Sequence, residues 1–346
     1  MKKEKILTVS FLMFLSIPMV FLFFSGKEQV SVTEKRALAQ RPNLEFSYIW
    51  DFPKKFENYF NDHFGLRGKY LHLSNLIHVK LFRVSPAPKV IVGKNGWLFY
   101  RSELEGDGCT LEDYQGRVLY SPAQLKQIQA NIEAAVDWCS RNGAFLLIVF
   151  APNKETIYPE YMPRYYKKGK MTRLDQLMGF FADKPHLPVL DTTRAILKQK
   201  YKRLLYYTGG THWNQYGAYY AYQAIMRRLA REFPDLKAFP LEAFDAEIVE
   251  NSPFDNWYGF RDHQHIVLTL KKTVLKEARK VGKKYKVLAF RDSFIQYFPQ
   301  FYRDSFHPFT EWSNRDFNYD LIKEKKPDIV LWEIVERTGD ILLYMK

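Results

Sequence analysis

Apolar and polar residues fall into blocks that read in turn as strands and helices. Val90-Ile91-Val92 and Trp97-Leu98-Phe99-Tyr100 flank Gly93-Lys94-Asn95-Gly96, and Asn-Gly between apolar runs predicts a hairpin. Residues 56–82 carry Phe56, Phe60, Phe64, Leu73, Leu76 and Ile77 at helical spacing. Ser121-Pro122, a cap followed by proline in the first turn, opens a predicted helix to Arg141. Residues 144–150 form a continuous apolar run, the pattern of a strand buried on both faces. Further helices are predicted over 171–181 and 216–233, with a short strand over 187–190 ending at Asp191. A strand over 285–290 feeds Asp292-Ser293-Phe294 and a short helix; a helix ends over 321–325, and 329–334 is a last buried strand. This alternation predicts an α/β three-layer fold with a mostly parallel sheet, whose sites lie at the carboxyl ends of strands. Ser293 stands at such a place. No internal repeat or low-complexity tract interrupts the pattern.

The first residues break from it. Lys2, Lys3 and Lys5 precede Ile6–Phe24, a run with no charge and one proline, Pro18. At ~1.5 Å per residue it covers about 28 Å, nearly a hydrocarbon core. Residues 1–26 are therefore expected to be an uncleaved signal anchor, a transmembrane helix with its basic flank cytoplasmic and the body outside. A cleavable signal peptide is the alternative, with only Ser25 and Gly26 as small residues after the run. Residues 27–53, polar with Pro42 and Pro53, read as a tether, and 54–346 as the folded domain.

Composition narrows the classes. The chain has 346 residues, with 28 Phe, 23 Tyr and 7 Trp, too many apolar rings for a solvated coil. Two cysteines, Cys109 and Cys139, exclude a disulfide scaffold and leave one pairing or two free thiols open. The net charge of +14 favours an anionic partner, and an extracytoplasmic body makes that a glycan or an anionic membrane face rather than nucleic acid. The lysine-rich stretches 165–170 and 271–286 read as solvated faces, and Tyr206, Tyr207, Tyr219 and Tyr220 as core or as sugar-stacking rings. No zinc-like His/Cys spacing, phosphate loop or dinucleotide glycine pattern occurs, so neither metal nor cofactor is expected.

Two segments carry candidate chemistry. In Val287-Leu288-Ala289-Phe290-Arg291-Asp292-Ser293-Phe294 a serine sits at a strand-to-helix turn, where its hydroxyl suits a nucleophile and following N–H groups suit an oxyanion; a plain helix cap is the competing role. In Gly209-Gly210-Thr211-His212-Trp213-Asn214-Gln215-Tyr216-Gly217-Ala218 a histidine at the mouth of a helix suits a general base, with a structural histidine as the alternative.

Together these segments resemble the SGNH-hydrolase-like domain of the AlgX/AlgJ type, the alginate O-acetyltransferase family. Glu34-Lys35-Arg36, residues 56–67, the 92–100 hairpin, Pro152-Asn153-Lys154-Glu155-Thr156-Ile157-Tyr158-Pro159-Glu160, Pro327-Asp328-Ile329-Val330 and Glu336-Arg337 resemble it too. The anchored arrangement is more like the J form. The resemblance implies an extracytoplasmic O-acetyltransferase acting on an exported polysaccharide, and the net charge favours an anionic one. Ser293 would be the nucleophile, His212 the base, and a polytopic membrane acyltransferase the acetyl donor. Asp292, Arg291, Asn153, Arg315 and Arg337 are supporting candidates, Arg291 facing either an acidic sugar or a nearby acid.

One position departs from that family. Its Asp-x-His becomes Gly210-Thr211-His212, so the carboxylate that orients the imidazole is missing there. Another acid, Asp191 or Asp107, substitutes for it; or the site runs as a Ser-His dyad; or the chain is a glycan-binding scaffold without chemistry. A carbohydrate esterase using the same residues is the remaining alternative.

Overall fold

The computed structural model describes residues 2–22, 29–31, 36–44, 49–65, 67–82, 84–85, 87–249, 265–280, 285–296 and 299–345. Glu34 and Lys35 of the resemblance, and 281–284 of the second lysine-rich stretch, lie outside them.

The described residues fall into two units, divided near residue 86. In the first, β1 (Val30–Ser31) pairs antiparallel with β2 (Arg36–Ala37), and the helices Phe52–His63 and Arg67–Ile77 follow. Asp62 Oδ2 accepts from the Ala39 N–H at 2.8 Å, which ties the chain after β2 to the first of these helices.

The anchor expected over residues 1–26 requires correction. A helix does run Lys2–Leu22, but among the described residues no helix is long and apolar enough to cross a membrane. Its first turn is spent on Lys2, Lys3, Glu4 and Lys5. The apolar part, Ile6 to Leu22, spans about 25 Å at ~1.5 Å per residue, short of the ~30 Å of a hydrocarbon core. Hydropathy alone extended the run to Phe24, past the described end of the helix. The single-pass topology, attachment to the membrane through this helix, and the anchored AlgJ-like form are overturned with it. The extracytoplasmic placement loses its support.

The second unit opens with the expected hairpin, β3 (Val90–Val92) against β4 (Leu98–Tyr100), antiparallel with Val92 opposite Leu98. Asn95 (φ 54°) and Gly96 (φ 79°) take the left-handed conformations that Asn-Gly turns supply. The remaining strands are β5 (Phe145–Ala151), β6 (Val189–Asp191), β7 (Phe244–Val249), β8 (His265–Leu270), β9 (Val287–Phe290), β10 (Phe309–Trp312) and β11 (Ile329–Val335). Five of them make one sheet in the order β10-β9-β11-β5-β6, and every neighbouring pair is parallel. β7 and β8 pair antiparallel apart from it.

Side-chain alternation along the central strands builds the three layers. Leu147, Val149, Ala151, Ala289 and Leu331 enter one core, with the helix Gln215–Leu229. Leu146, Ile148, Phe150, Phe290 and Trp332 enter the other, with the helix Pro122–Arg141. That second helix starts where the sequence predicts: the Ser121 hydroxyl accepts from the Gln124 N–H, and the Gln124 side chain accepts from the Ser121 N–H. Thr172 and Asp175 form the same reciprocal cap for Arg173–Phe180. Tyr206, Tyr207 and Tyr219 belong to the core, with Tyr220 half-buried against it. Cys109 and Cys139 are both free; Cys139 lies on the buried face of the helix Pro122–Arg141, and burial pushes its thiol up to about 12.

Candidate active site

The site gathers at the carboxyl ends of the parallel strands. β9 is wholly buried and delivers Arg291-Asp292 into the four-residue helix Ser293–Gln296. The buried Asp292 carboxylate accepts from the Phe294 N–H at 2.7 Å and from the Val335 N–H at 3.0 Å. The first bond caps the turn and the second pins it to β11, which fixes where the Ser293 hydroxyl points.

His212 lies one turn ahead of the helix Gln215–Leu229. Asn214 caps that helix, accepting from the N–H groups of Tyr216 (3.0 Å) and Gly217 (3.1 Å). Gly217 allows a close approach: a Cβ there would stand 2.3 Å from the Leu205 carbonyl oxygen. The Trp213 indole donates to the Phe294 carbonyl at 3.1 Å, and the Trp213 and Phe294 rings meet edge-on at 5.1 Å. The two loops are thus held together, with His212 Nε2 2.7 Å from Ser293 Oγ. Segments 80 residues apart meet within proton-transfer distance.

Gly210 stands two residues before His212. Its carbonyl accepts from the buried Lys154 ammonium at 2.8 Å, which also donates to the carbonyls of Leu98 and Thr208 at 2.7 Å each. The Thr211 hydroxyl stands 3.3 Å from His212 Nδ1. The two substitute acids suggested by the sequence are engaged elsewhere. Asp191 accepts from the Thr193 N–H (2.8 Å) and hydroxyl (2.5 Å). Asp107 takes Arg315 at 2.7 Å and Arg337 at 3.1 Å; burial raises its carboxyl, but the two guanidinium groups outweigh that and hold it below its ordinary value.

The other candidates divide. Arg337 is buried, with its guanidinium 5.9 Å from the Phe294 ring, so it and Asp107 back the serine turn. Arg315 joins it through Asp107. Arg291 turns to the acid on the adjacent strand, Glu311, at 2.8 Å. Asn153 is buried; its N–H donates to Glu336 Oε2 at 2.8 Å while its Oδ1 has no partner among the described residues. Among the described residues no three His, Cys, Asp or Glu side chains converge as a metal site.

Sequence reasoning overlooked Glu333 and gave Glu336 no role beyond the resemblance, although acids within and just after a run as apolar as β11 are a visible signal. Glu333 is buried; burial and then the neighbouring Asp292 push its carboxyl well above the usual range. It accepts from the Ile295 N–H at 3.4 Å. The amides of Phe294 and Ile295, expected to be free for an oxyanion, are thus both committed to carboxyl oxygens.

Glu336 takes the Thr156 hydroxyl at 2.6 Å, and burial raises its carboxyl from 4.5 to about 8. Unfolded, this carboxyl ionises near 4.5; its contribution to stability is therefore full below that pH and is lost as pH rises to about 8. Glu336→Gln keeps an acceptor oxygen and removes the charge. Above pH 8 it is expected to exceed wild type in stability by up to about 4 kcal/mol, with the difference shrinking toward pH 4.5. Denaturant melts across this range check it, and parallel stability curves would refute it.

Against this geometry the comparisons are specific. Residues 90–259 match the family model described as SGNH hydrolase-like domain, acetyltransferase AlgX. The fold is SGNH hydrolase-like. The matched stretch holds His212 and ends before Ser293. The O-acetyltransferase domain of Pseudomonas putida AlgJ is similar at 17% identity over 75% of this chain and 94% of that one, with a TM-score of 0.50. Bacillus cereus PatB1 with a sulfonyl adduct is similar at 13% identity over 72% and 95%, with a TM-score of 0.53. A second PatB1 structure gives 13%, 73%, 98% and 0.51. No curated protein matches the sequence. At these identities the solved structures speak for the fold. The family match covers 90–259 alone, and together they show an SGNH hydrolase-like fold.

Proposed function

We propose that the SGNH hydrolase-like domain is an O-acetyltransferase that acts on a polysaccharide through an acetyl ester on Ser293. The observation that carries this reading is the 2.7 Å contact of Ser293 Oγ with His212 Nε2. Ser293 Oγ attacks the donor's acetyl carbonyl as its proton passes to His212, which returns it to the departing group. A sugar hydroxyl then gives its proton to His212 and attacks the acetyl ester, and Ser293 Oγ leaves with that proton. The family match at 90–259 supports the reaction class. Gly210 favours a second reading, a weak or inactive glycan-binding scaffold, because a carboxylate at that position would orient the imidazole.

With 4-nitrophenyl acetate and oligosaccharide acceptors, the full chain is expected to release nitrophenol and place acetyl on sugar hydroxyls. Free acetate with no acetylated sugar would make it an esterase. Nitrophenol release no faster than by His212→Ala would leave the scaffold.

A further inference from the structure

A cavity of the second unit lies apart from both Ser293 and His212. It is a groove of about 1130 Å³ beside β6, the strand that ends the sheet. Lys184, Arg194, Lys198, Arg227, Arg228 and Arg231 line it, against two acids, Asp191 and Glu242. Asp191 is turned to Thr193, and Arg228 to Glu232 at 3.1 Å. Arg194, Lys198, Arg227 and Arg231 are exposed and make no ion pair among the described residues. Arg194 and Lys198 stand four residues apart, about 6 Å on a helical turn, which the Lys198 N–H to Arg194 carbonyl bond shows directly; Arg227 and Arg231 are also four apart, with Arg231 just past the end of the helix Gln215–Leu229.

Four of the six cations are arginines, whose planar forks match carboxylates. Among the described residues of the groove no aromatic ring is exposed as a stacking platform for nucleobases. Phe181 and Tyr219 are buried, and half-buried Tyr220 has its ring edge-on to Tyr219 at 5.3 Å. Gln199 and the outer backbone edge of β6 offer uncharged partners for hydroxyls. The groove also lies at a useful distance. The order β9-β11-β5-β6 places β6 three strand spacings, about 14 Å, from the strand that delivers Ser293. Because the strands are parallel, Asp191 and Ser293 share the same end of the sheet.

We propose that this groove binds an acidic polysaccharide, seating its carboxylates on the two cation ladders and leading the chain toward Ser293. The guiding role rests on the acetyl-transfer reading; the binding does not. Titration calorimetry of the full chain with hexagalacturonate, cellohexaose and oligothymidylate, with no acetyl donor present, tests it separately from any chemistry at Ser293. Hexagalacturonate is expected to bind, more weakly as salt rises, with cellohexaose at least about tenfold weaker. Arg194→Gln with Arg227→Gln is expected to lower hexagalacturonate affinity at least about tenfold at an unchanged melting temperature. Should the double variant unfold, Lys198→Gln and Arg231→Gln singly give the same readout. Absence of hexagalacturonate binding, or equal affinity in the variants, overturns the proposal. Oligothymidylate binding as tightly overturns it in favour of nucleic acid.

Discussion

Ser293→Ala is expected to abolish acetyl-ester cleavage, and His212→Ala to do nearly the same, each by at least ~10⁴-fold in kcat. The two should not be additive, because one proton moves between them and either loss stops it. The double variant is therefore expected to be no slower than the worse single variant. A sulfonyl fluoride should label Ser293 in wild type, detected by peptide mass spectrometry, and label it far more slowly in His212→Ala, where nothing accepts the hydroxyl proton. Wild-type rates in Ser293→Ala would remove the acetyl-serine intermediate and with it the proposed reaction. The fold should be untouched: Ser293 is half-buried, and the capping bonds of its turn belong to Asp292.

Arg173→Met carries the largest expected effect on stability. Arg173 and Asp113 are both buried, joined by Nε and Nη2 to the carboxylate at 3.0–3.1 Å. The same guanidinium reaches Asp340 at 2.5 Å and the Arg337 carbonyl at 3.1 Å. Removing it strands the Asp113 carboxylate in a dry interior, at a cost of about 3–5 kcal/mol. For a domain of this size that is roughly 6–20 °C in Tm. Arg173→Met with Asp113→Leu is expected to recover much of the loss, since no buried charge is then left alone. Calorimetric melts of the three proteins decide it; a single variant as stable as wild type would show the pair to be hydrated. Because Arg337 backs the serine turn, the single variant should also lose activity below its melting temperature.

What was legible in the sequence follows from how strongly local composition constrains each segment. β5 and β11 are apolar on both faces, so a central parallel strand is readable without knowing its neighbours. β10 is Phe-Thr-Glu-Trp with no buried residue; an edge strand that short leaves no run to find. β7 is exposed beyond Phe244 and is held by pairing with β8, a contact between distant segments that periodicity does not carry. Ser293 stood out because a small polar residue directly after a buried strand is a strong local signal. Its meeting with His212 depends on Trp213 and Phe294 packing across 80 residues, and only the resemblance brought the two together beforehand. Lys154 was hidden for a different reason: a lysine reads as surface until three carbonyls are seen around its ammonium. Hydropathy misjudged the first segment because it measures the length of an apolar run, while the described helix carries that run only over Ile6 to Leu22.

The indole bond from Trp213 to the residue after Ser293 has a kinetic meaning. The loops of Ser293 and His212 are fastened at two points, so neither can loosen while the other stays in register. The pair behaves as one cooperative opening unit. A conformer that exposed the serine alone would have to break the indole bond, the edge-on ring contact and the imidazole contact in the same event.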